Sequence, residues 1–240
     1  DRPGNAKSIK SDLSGEQTAR TLFQAALHYL RGEVKAAAAV CQSLLEKTDC
    51  FDTRLGCLLT LANAAMYTGD FSAWTSARSA IAQTGVLNEA EAATRDCSLA
   101  CVDSALFDRR GFPEWLKIGR FDPLPVDGFP AARHMYAKYC AISRADFALL
   151  PALEPLCSQT RAEGAVGAEI YLRLVVAAGY HDCGNNAAAA FHVSRALDLA
   201  LPDSLYAPLA EARRNIGVLF DDLLRARDES AYRAVCALWE

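Results

Sequence analysis

Three consecutive residues, His181, Asp182 and Cys183, place an imidazole, a carboxylate and a thiol side by side in the sequence. These groups can activate a cysteine nucleophile, because a histidine base held by a carboxylate withdraws the thiol proton. Successive residues of a helix point about 100° apart, however, so adjacent side chains seldom converge on one reacting atom. We interpret the triplet as a helix-end turn. A cysteine-dependent hydrolase stays open as an alternative.

Other reactive groups occur without the partners that their chemistry requires. Cys97 and Cys101 lie four residues apart and share a helix face, which gives half a metal site or a redox pair. Packing in the core is the favoured interpretation. The carboxylates of Asp221 and Asp222 have no histidine nearby in sequence. The sequence thus predicts no catalytic residue, no metal ligand and no cofactor, and we expect that the chain is not an enzyme.

Composition narrows the class of protein. The 240 residues are 52% hydrophobic and 22% charged, which is enough apolar surface to bury a core. Good helix formers dominate while the residues that favour sheets are scarce. The net charge is −4 and no segment is rich in Lys or Arg, so we expect no direct contact with nucleic acid. No apolar run reaches the ~18 to 20 residues of a membrane span, so we expect no membrane contact.

The nine cysteines lie mainly within apolar helical patterns and form no CxxC pair. Their usage predicts reduced thiols and a cytoplasmic location. The chain begins at Asp1 and contains no signal-like apolar stretch. We therefore expect a piece of a longer polypeptide or a processed form.

The apolar residues follow a recurring helical pattern. Residues 1–16 have little to bury and are predicted to be a disordered lead-in, whereas residues 17–240 are predicted to form one helical-repeat domain. Short turns interrupt the pattern and predict antiparallel helical hairpins. Ile216, Leu219 and Leu223, for example, lead to the last turn. The turns are expected near residues 32, 69, 111, 145, 184 and 228.

These turns are spaced by about 39 residues on average, a period that is typical of solenoids. The predicted fold class is all-α: a right-handed superhelical solenoid of about six antiparallel helical hairpins. Prolines and glycines concentrated over residues 119–130 predict an irregular loop in the third hairpin. The hairpins resemble tetratricopeptide repeats, and the matching residues are Ala25, Gly32, Val34, Ala37, Cys41, Leu44 and Gly69-Asp70-Phe71.

A more specific resemblance lies in the fifth hairpin. The segment AAAAFHVSRALDLALP, residues 187–202, is followed by Tyr206-Ala207-Pro208-Leu209. It resembles a passage late in the helical-repeat region of large LuxR-type transcriptional regulators similar to the maltose regulator. That resemblance implies a ligand- or partner-sensing domain, with ATPase and helix-turn-helix domains outside this chain. The alternative is a stand-alone tetratricopeptide scaffold that binds a protein segment.

The first helices of successive hairpins are expected to line an inner surface rich in aromatic and hydrogen-bonding groups. This surface predicts a groove for a small metabolite or a regulatory protein, and other domains of the same polypeptide are further expected partners. The alternative is that the tyrosines only wedge the hairpins together. The candidate binding residues are Tyr67, Tyr139, Tyr171, His181 and Asp182. The last four are expected to lie together near the fourth and fifth hairpins.

Overall fold

The structure, a computed structural model, describes residues 5–143 and 150–238, with side chains from residue 15 onward. Within these ranges the regular secondary structure is helical and includes no strand, which confirms the all-α class. No helix in the same ranges has both the length and the apolar character needed to cross a membrane. The chain divides into two compact units, unit 1 (residues 1–84) and unit 2 (residues 85–240).

Unit 1 is built from α1 (Asn5–Leu30), α2 (Val34–Leu45), α3 (Phe51–Tyr67) and α4 (Phe71–Gln83). Gly32 and Gly69 separate α1 from α2 and α3 from α4, at the first two expected turns, and both have positive φ. A glycine in that conformation ends a helix without a Cβ clash. Helix α1 begins within the segment that the sequence analysis assigns to a disordered lead-in.

The helices of unit 1 pack closely through small side chains. Helix α1 contacts both α2 and α3, and α3 contacts α4. Ala25, Cys41, Leu44 and Cys57 form a buried cluster at the junction of α1, α2 and α3. Alanine and cysteine are small enough to let helix axes approach, so these three helices share one apolar core.

Unit 2 is built from α5 (Glu89–Ser104), α6 (Glu114–Lys117), α7 (Phe129–Ile142), α8 (Leu150–Ala162), α9 (Val166–Asp182), α10 (Asn186–Ala200), α11 (Tyr206–Ile216), α12 (Val218–Arg227) and α13 (Glu229–Ala237). Helix α9 is central, because it contacts α7, α8, α10 and α11. Its buried positions include Ile170, Leu172, Leu174 and Val176. An apolar surface on several sides is typical of a helix that is surrounded by others.

Breaks between the helices of unit 2 fall near three expected turns, at Gly111, Gly184 and Asp228. The turn expected near residue 145 lies outside the described residues. In the expected loop over 119–130, residues 119–125 carry no helix and Val126–Gly128 forms a short 3₁₀ turn. Helix α7 then begins at Phe129, before the end of that segment, with a proline in its first turn.

The helical pattern expected to continue from Ile216 to Leu223 is interrupted, and this is a correction to the sequence analysis. Gly217 stands between α11 and α12 with φ 63° and ψ −135°. That region of the Ramachandran map is open to glycine and closed to residues with a Cβ. The apolar spacing continues through the break, so periodicity alone did not reveal it.

Replacing Gly217 with alanine is expected to lower the free energy of unfolding by about 1 to 3 kcal/mol. The space around a Cβ at Gly217 is open, so the loss comes from the backbone conformation alone. Gly85 is the matched control, because its Cβ position is also open and its φ is not positive. Urea unfolding of both variants measures the difference. Equal losses would contradict the backbone explanation.

An ion pair is buried inside α9. Glu169 and Arg173 lie four residues apart, their side chains are 3% and 8% exposed, and Nη2 of Arg173 is 2.6 Å from Oε1 of Glu169. Nε of Arg173 donates a second hydrogen bond to the same oxygen at 2.7 Å. Each charge is removed from water, so each depends on the other for compensation.

Substituting Glu169 with glutamine leaves the Arg173 guanidinium buried without its counter-charge. We expect this change to lower the free energy of unfolding by about 3 to 5 kcal/mol. The double variant Glu169→Leu/Arg173→Leu removes both charges and is expected to be more stable than the single variant. Denaturant titrations of the three proteins check this order. If Glu169→Gln were as stable as the native chain, the buried charge of Arg173 would not depend on Glu169.

Candidate functional site

Side chains from four helices of unit 2 form a group of titratable and hydrogen-bonding residues, which we call the polar cluster. Helices α5, α7, α9 and α11 contact one another in that order. Spacings of three and four residues on α5 and α7 place each pair of contributed residues on one helix face. The members are Cys101, Ser104, His134, Lys138, Tyr171 and Glu211.

Lys138 links α7 to α5. Its Nζ donates a hydrogen bond to Oγ of Ser104 at 3.1 Å, and that hydroxyl donates to the carbonyl oxygen of Cys101 at 2.7 Å. Ser104 is buried and Lys138 is half-buried. Within the described part of the chain Lys138 makes no ion pair. An ammonium group carries three N–H donors, so two remain for a ligand or for water.

His134 is a buried histidine without a complete set of partners. Its ring stacks on Tyr171, with the centroids 5.0 Å apart and the planes inclined by 25°. Its Nε2 is buried and has no hydrogen-bond partner among the described residues. Burial, together with the positive charge of Lys138, holds the pKa of His134 well below its ordinary value of 6.5. The imidazole is therefore neutral at pH 7, with one buried nitrogen unsatisfied.

Tyr171 connects α9 to α11. Its hydroxyl donates to Oε1 of Glu211 at 3.1 Å. Burial raises the pKa of the Cys101 thiol, while Lys138 and Glu211 act on that pKa in opposite directions. The opposite charges of Lys138 and Glu211 thus both act on Cys101, which stays a neutral thiol.

The other candidate residues of α7 and α9 have different surroundings. Tyr139 is half-buried and packs against Phe112, with ring centroids 5.3 Å apart. His181 pairs through Nδ1 with Oδ1 of Asn186 at 3.0 Å, and Asp182 is exposed. Ten residues separate His181 from Tyr171 on α9, which corresponds to about 15 Å along the helix axis. The structure therefore does not bring these residues to a single point.

Tyr67 belongs to unit 1, where its ring meets Tyr29 edge to face at 5.9 Å. This contact joins α3 to α1. At the end of α9, desolvation and the Asp182 carboxylate raise the pKa of the Cys183 thiol. A raised pKa is the opposite of the activation that a catalytic triplet would require.

Ser104, Lys138 and Glu211 of the polar cluster are not predicted from the sequence, whereas Cys101 and Tyr171 are, as a core thiol and as a candidate binding residue. The spacing of four between His134 and Lys138 was the available signal, since it places both on one face of a predicted helix. Nothing in the sequence around Ser104 marks it as a binding residue. Glu211 joins the cluster because α11 packs against α9, a tertiary contact that no local pattern specifies.

No group of three or more His, Cys, Asp or Glu residues in the described ranges could hold a metal ion. All nine cysteines are free thiols. Comparisons of the chain with protein-family models, with curated proteins and with solved structures find no match.

Replacing His134 with phenylalanine removes a group that binds protons more readily in the unfolded chain than in the folded one. A lowered folded pKa means that native stability is complete above pH 6.5 and is lost as pH falls below it. Below pH 6.5 we expect the free energy of unfolding of the native chain to fall relative to that of the variant, by up to about 1.4 kcal/mol per pH unit. Unfolding measured from pH 7.5 to 5 tests this. A difference independent of pH would contradict it.

Proposed function

We propose that unit 2 is a sensor that binds a small polar ligand at the polar cluster. The observation that carries the proposal is the buried Nε2 of His134, unpartnered beside a half-buried ammonium with spare donors on Lys138. A buried polar atom without a partner costs about 1 to 3 kcal/mol, so a ligand that satisfies it recovers this free energy on binding. Lys138 would orient an acceptor group of the same ligand.

We also propose the finer architecture on which such a sensor depends, a right-handed stack of helical hairpins. The ordered contacts of α5 with α7, of α7 with α9 and of α9 with α11 support it, because first helices of successive hairpins are neighbours in a solenoid. In this arrangement the polar cluster lies between the first helices of neighbouring hairpins. A ligand bridging several hairpins would favour one packing of those hairpins over another.

The proposed role of this binding is the regulation of transcription. Support comes from the LuxR-like segment: its residues 187–200 form nearly all of α10, Leu201 and Pro202 lie in the 3₁₀ turn at Leu201–Asp203, and residues 206–209 begin α11. Helix α11 also carries Glu211, the partner of Tyr171. A ligand that moves α11 relative to α9 would change this segment, and ATPase and helix-turn-helix domains outside the chain would respond to the change.

Thermal denaturation of the chain against a panel of small metabolites tests the proposal. A ligand that binds only the folded state adds about 2.7 kcal/mol at 100 times its dissociation constant. Stabilisation by peptides but by no metabolite would favour the alternative, a scaffold for protein segments.

For a metabolite identified in this way, Lys138→Met is expected to weaken binding at least tenfold, since it removes a partly desolvated charged donor. Lys47→Met is the matched control. Nζ of Lys47 also donates to a serine hydroxyl at 3.1 Å, that of Ser43, but on an exposed helix end of unit 1. Isothermal titration measures both. Unchanged affinity in Lys138→Met would place the ligand elsewhere.

A further inference from the structure

Helices α2, α3 and α4 of unit 1 enclose a groove of about 440 Å³, which we call the α2–α4 groove. Leu58 and Leu61 of α3 contribute its apolar lining, with Ala38 on the α2 side and Ala77 on the α4 side. The volume lies within the range of small-ligand sites, about 300 to 1,000 Å³. The groove lies wholly inside unit 1, so it is separate from the polar cluster.

The two ends of the groove differ in polarity. Helices α2 and α3 contact each other and are joined by the short segment 46–50, so they run antiparallel. Lys35 in the first turn of α2 and Thr68 just after α3 therefore lie at the same end. Leu58 and Leu61 lie further along, where the lining is aliphatic up to the amide of Gln42 at the far end. The groove thus combines a cationic, hydrogen-bonding end with an apolar channel.

Lys35 is the charged residue of the lining. It is exposed, and it makes no hydrogen bond or ion pair with the described side chains. The neighbouring carboxylate of Glu33 is paired with Nδ1 of His28, and Glu33 does not cap α2 through its side chain. No acidic residue lies in the first turn of α2. The N-terminal N–H groups of α2 contribute positive potential near Lys35, and the carboxylate of Glu33 at the N-cap offsets part of it.

We propose that the α2–α4 groove binds an aliphatic carboxylate, with the carboxylate at Lys35 and the alkyl chain over Leu58 and Leu61. Charge complementarity selects an anionic head group, and the apolar lining selects an unbranched tail. From Lys35 to Gln42 the groove follows α2 for about 10 Å. This is the extended length of roughly eight or nine carbon atoms at ordinary bond lengths. A medium-chain fatty acid has these properties, and decanoate is a suitable probe.

Isothermal titration of the whole chain with straight-chain carboxylates tests the ligand class. Affinity is expected to rise about two- to fourfold per methylene from hexanoate to decanoate, then to level off once the groove is filled. Decanol and decylammonium, which have the same tail, are expected to bind at least fivefold more weakly than decanoate. Equal binding of the three would overturn the role of Lys35. Absence of saturable decanoate binding, with or without binding of an amphipathic helical peptide, would overturn the ligand class.

Matched variants locate the site. Lys35→Glu is expected to weaken decanoate binding about five- to tenfold, and Lys47→Glu, on the same helix pair but outside the lining, about twofold or less. Ser76→Phe places a ring in the groove and is expected to weaken binding at least tenfold. Ser72→Phe makes the same change one turn earlier on α4, outside the lining, and is expected to have no effect.

Ser76 and Ser72 are both exposed, so both variants are expected to keep the helicity and unfolding midpoint of the native chain. Lys35→Met is a further variant that removes the charge without reversing it, and a three- to fivefold loss is expected. Decanoate binding that survives both Lys35→Glu and Ser76→Phe would place it outside the groove and overturn the proposal. These measurements are independent of the polar cluster, because Lys138→Met is expected to bind decanoate normally.

Discussion

The buried ion pair between Glu169 and Arg173 is a constraint on α9, the central helix of unit 2. Helix α9 contacts four other helices, and eight of its seventeen residues are buried, Glu169 and Arg173 among them. Two opposite charges in such a helix are tolerated only when they compensate each other, and the spacing of four residues brings them together within one turn. The pair therefore restricts substitution at both positions, because replacing either side chain alone by an uncharged one leaves the other charge buried without compensation.

Helix α9 presents two faces with different partners. Arg173 acts electrostatically on Cys157 of α8 and on His192 of α10, which places the ion pair on the side of those helices. Tyr171 lies two residues from each charged residue, which turns its side chain by about 200° around the helix axis, to the opposite face. Its ring consequently meets His134 of α7, and its hydroxyl meets Glu211 of α11. The orientation that shields the charges also presents the tyrosine to the polar cluster.

The sequence was sufficient to predict the helical class, most turns and the position of Tyr171 on a helix, because each depends on the local spacing of residues. It was not sufficient for Gly217, since the apolar pattern continues across the break while the backbone conformation changes. It also did not pair Tyr171 with Glu211, because forty residues separate them and their contact depends on the packing of α11 against α9. Local periodicity identifies which face of a helix is apolar, whereas partners across helices depend on tertiary packing.

Alanine has one effect where helices pack directly against each other and another at the α2–α4 groove. Where helices meet directly, as at Ala25, the small side chain permits close approach and a filled core. Where α2 and α4 flank α3, Ala38 and Ala77 are too short to reach across, and space remains between them. A leucine at either position would extend into that space and bury more apolar surface, so the native residues keep a volume that a more stabilising choice would fill. The α2–α4 groove is thus a consequence of residue size along two helices, and Lys35 supplies the charge at one of its ends.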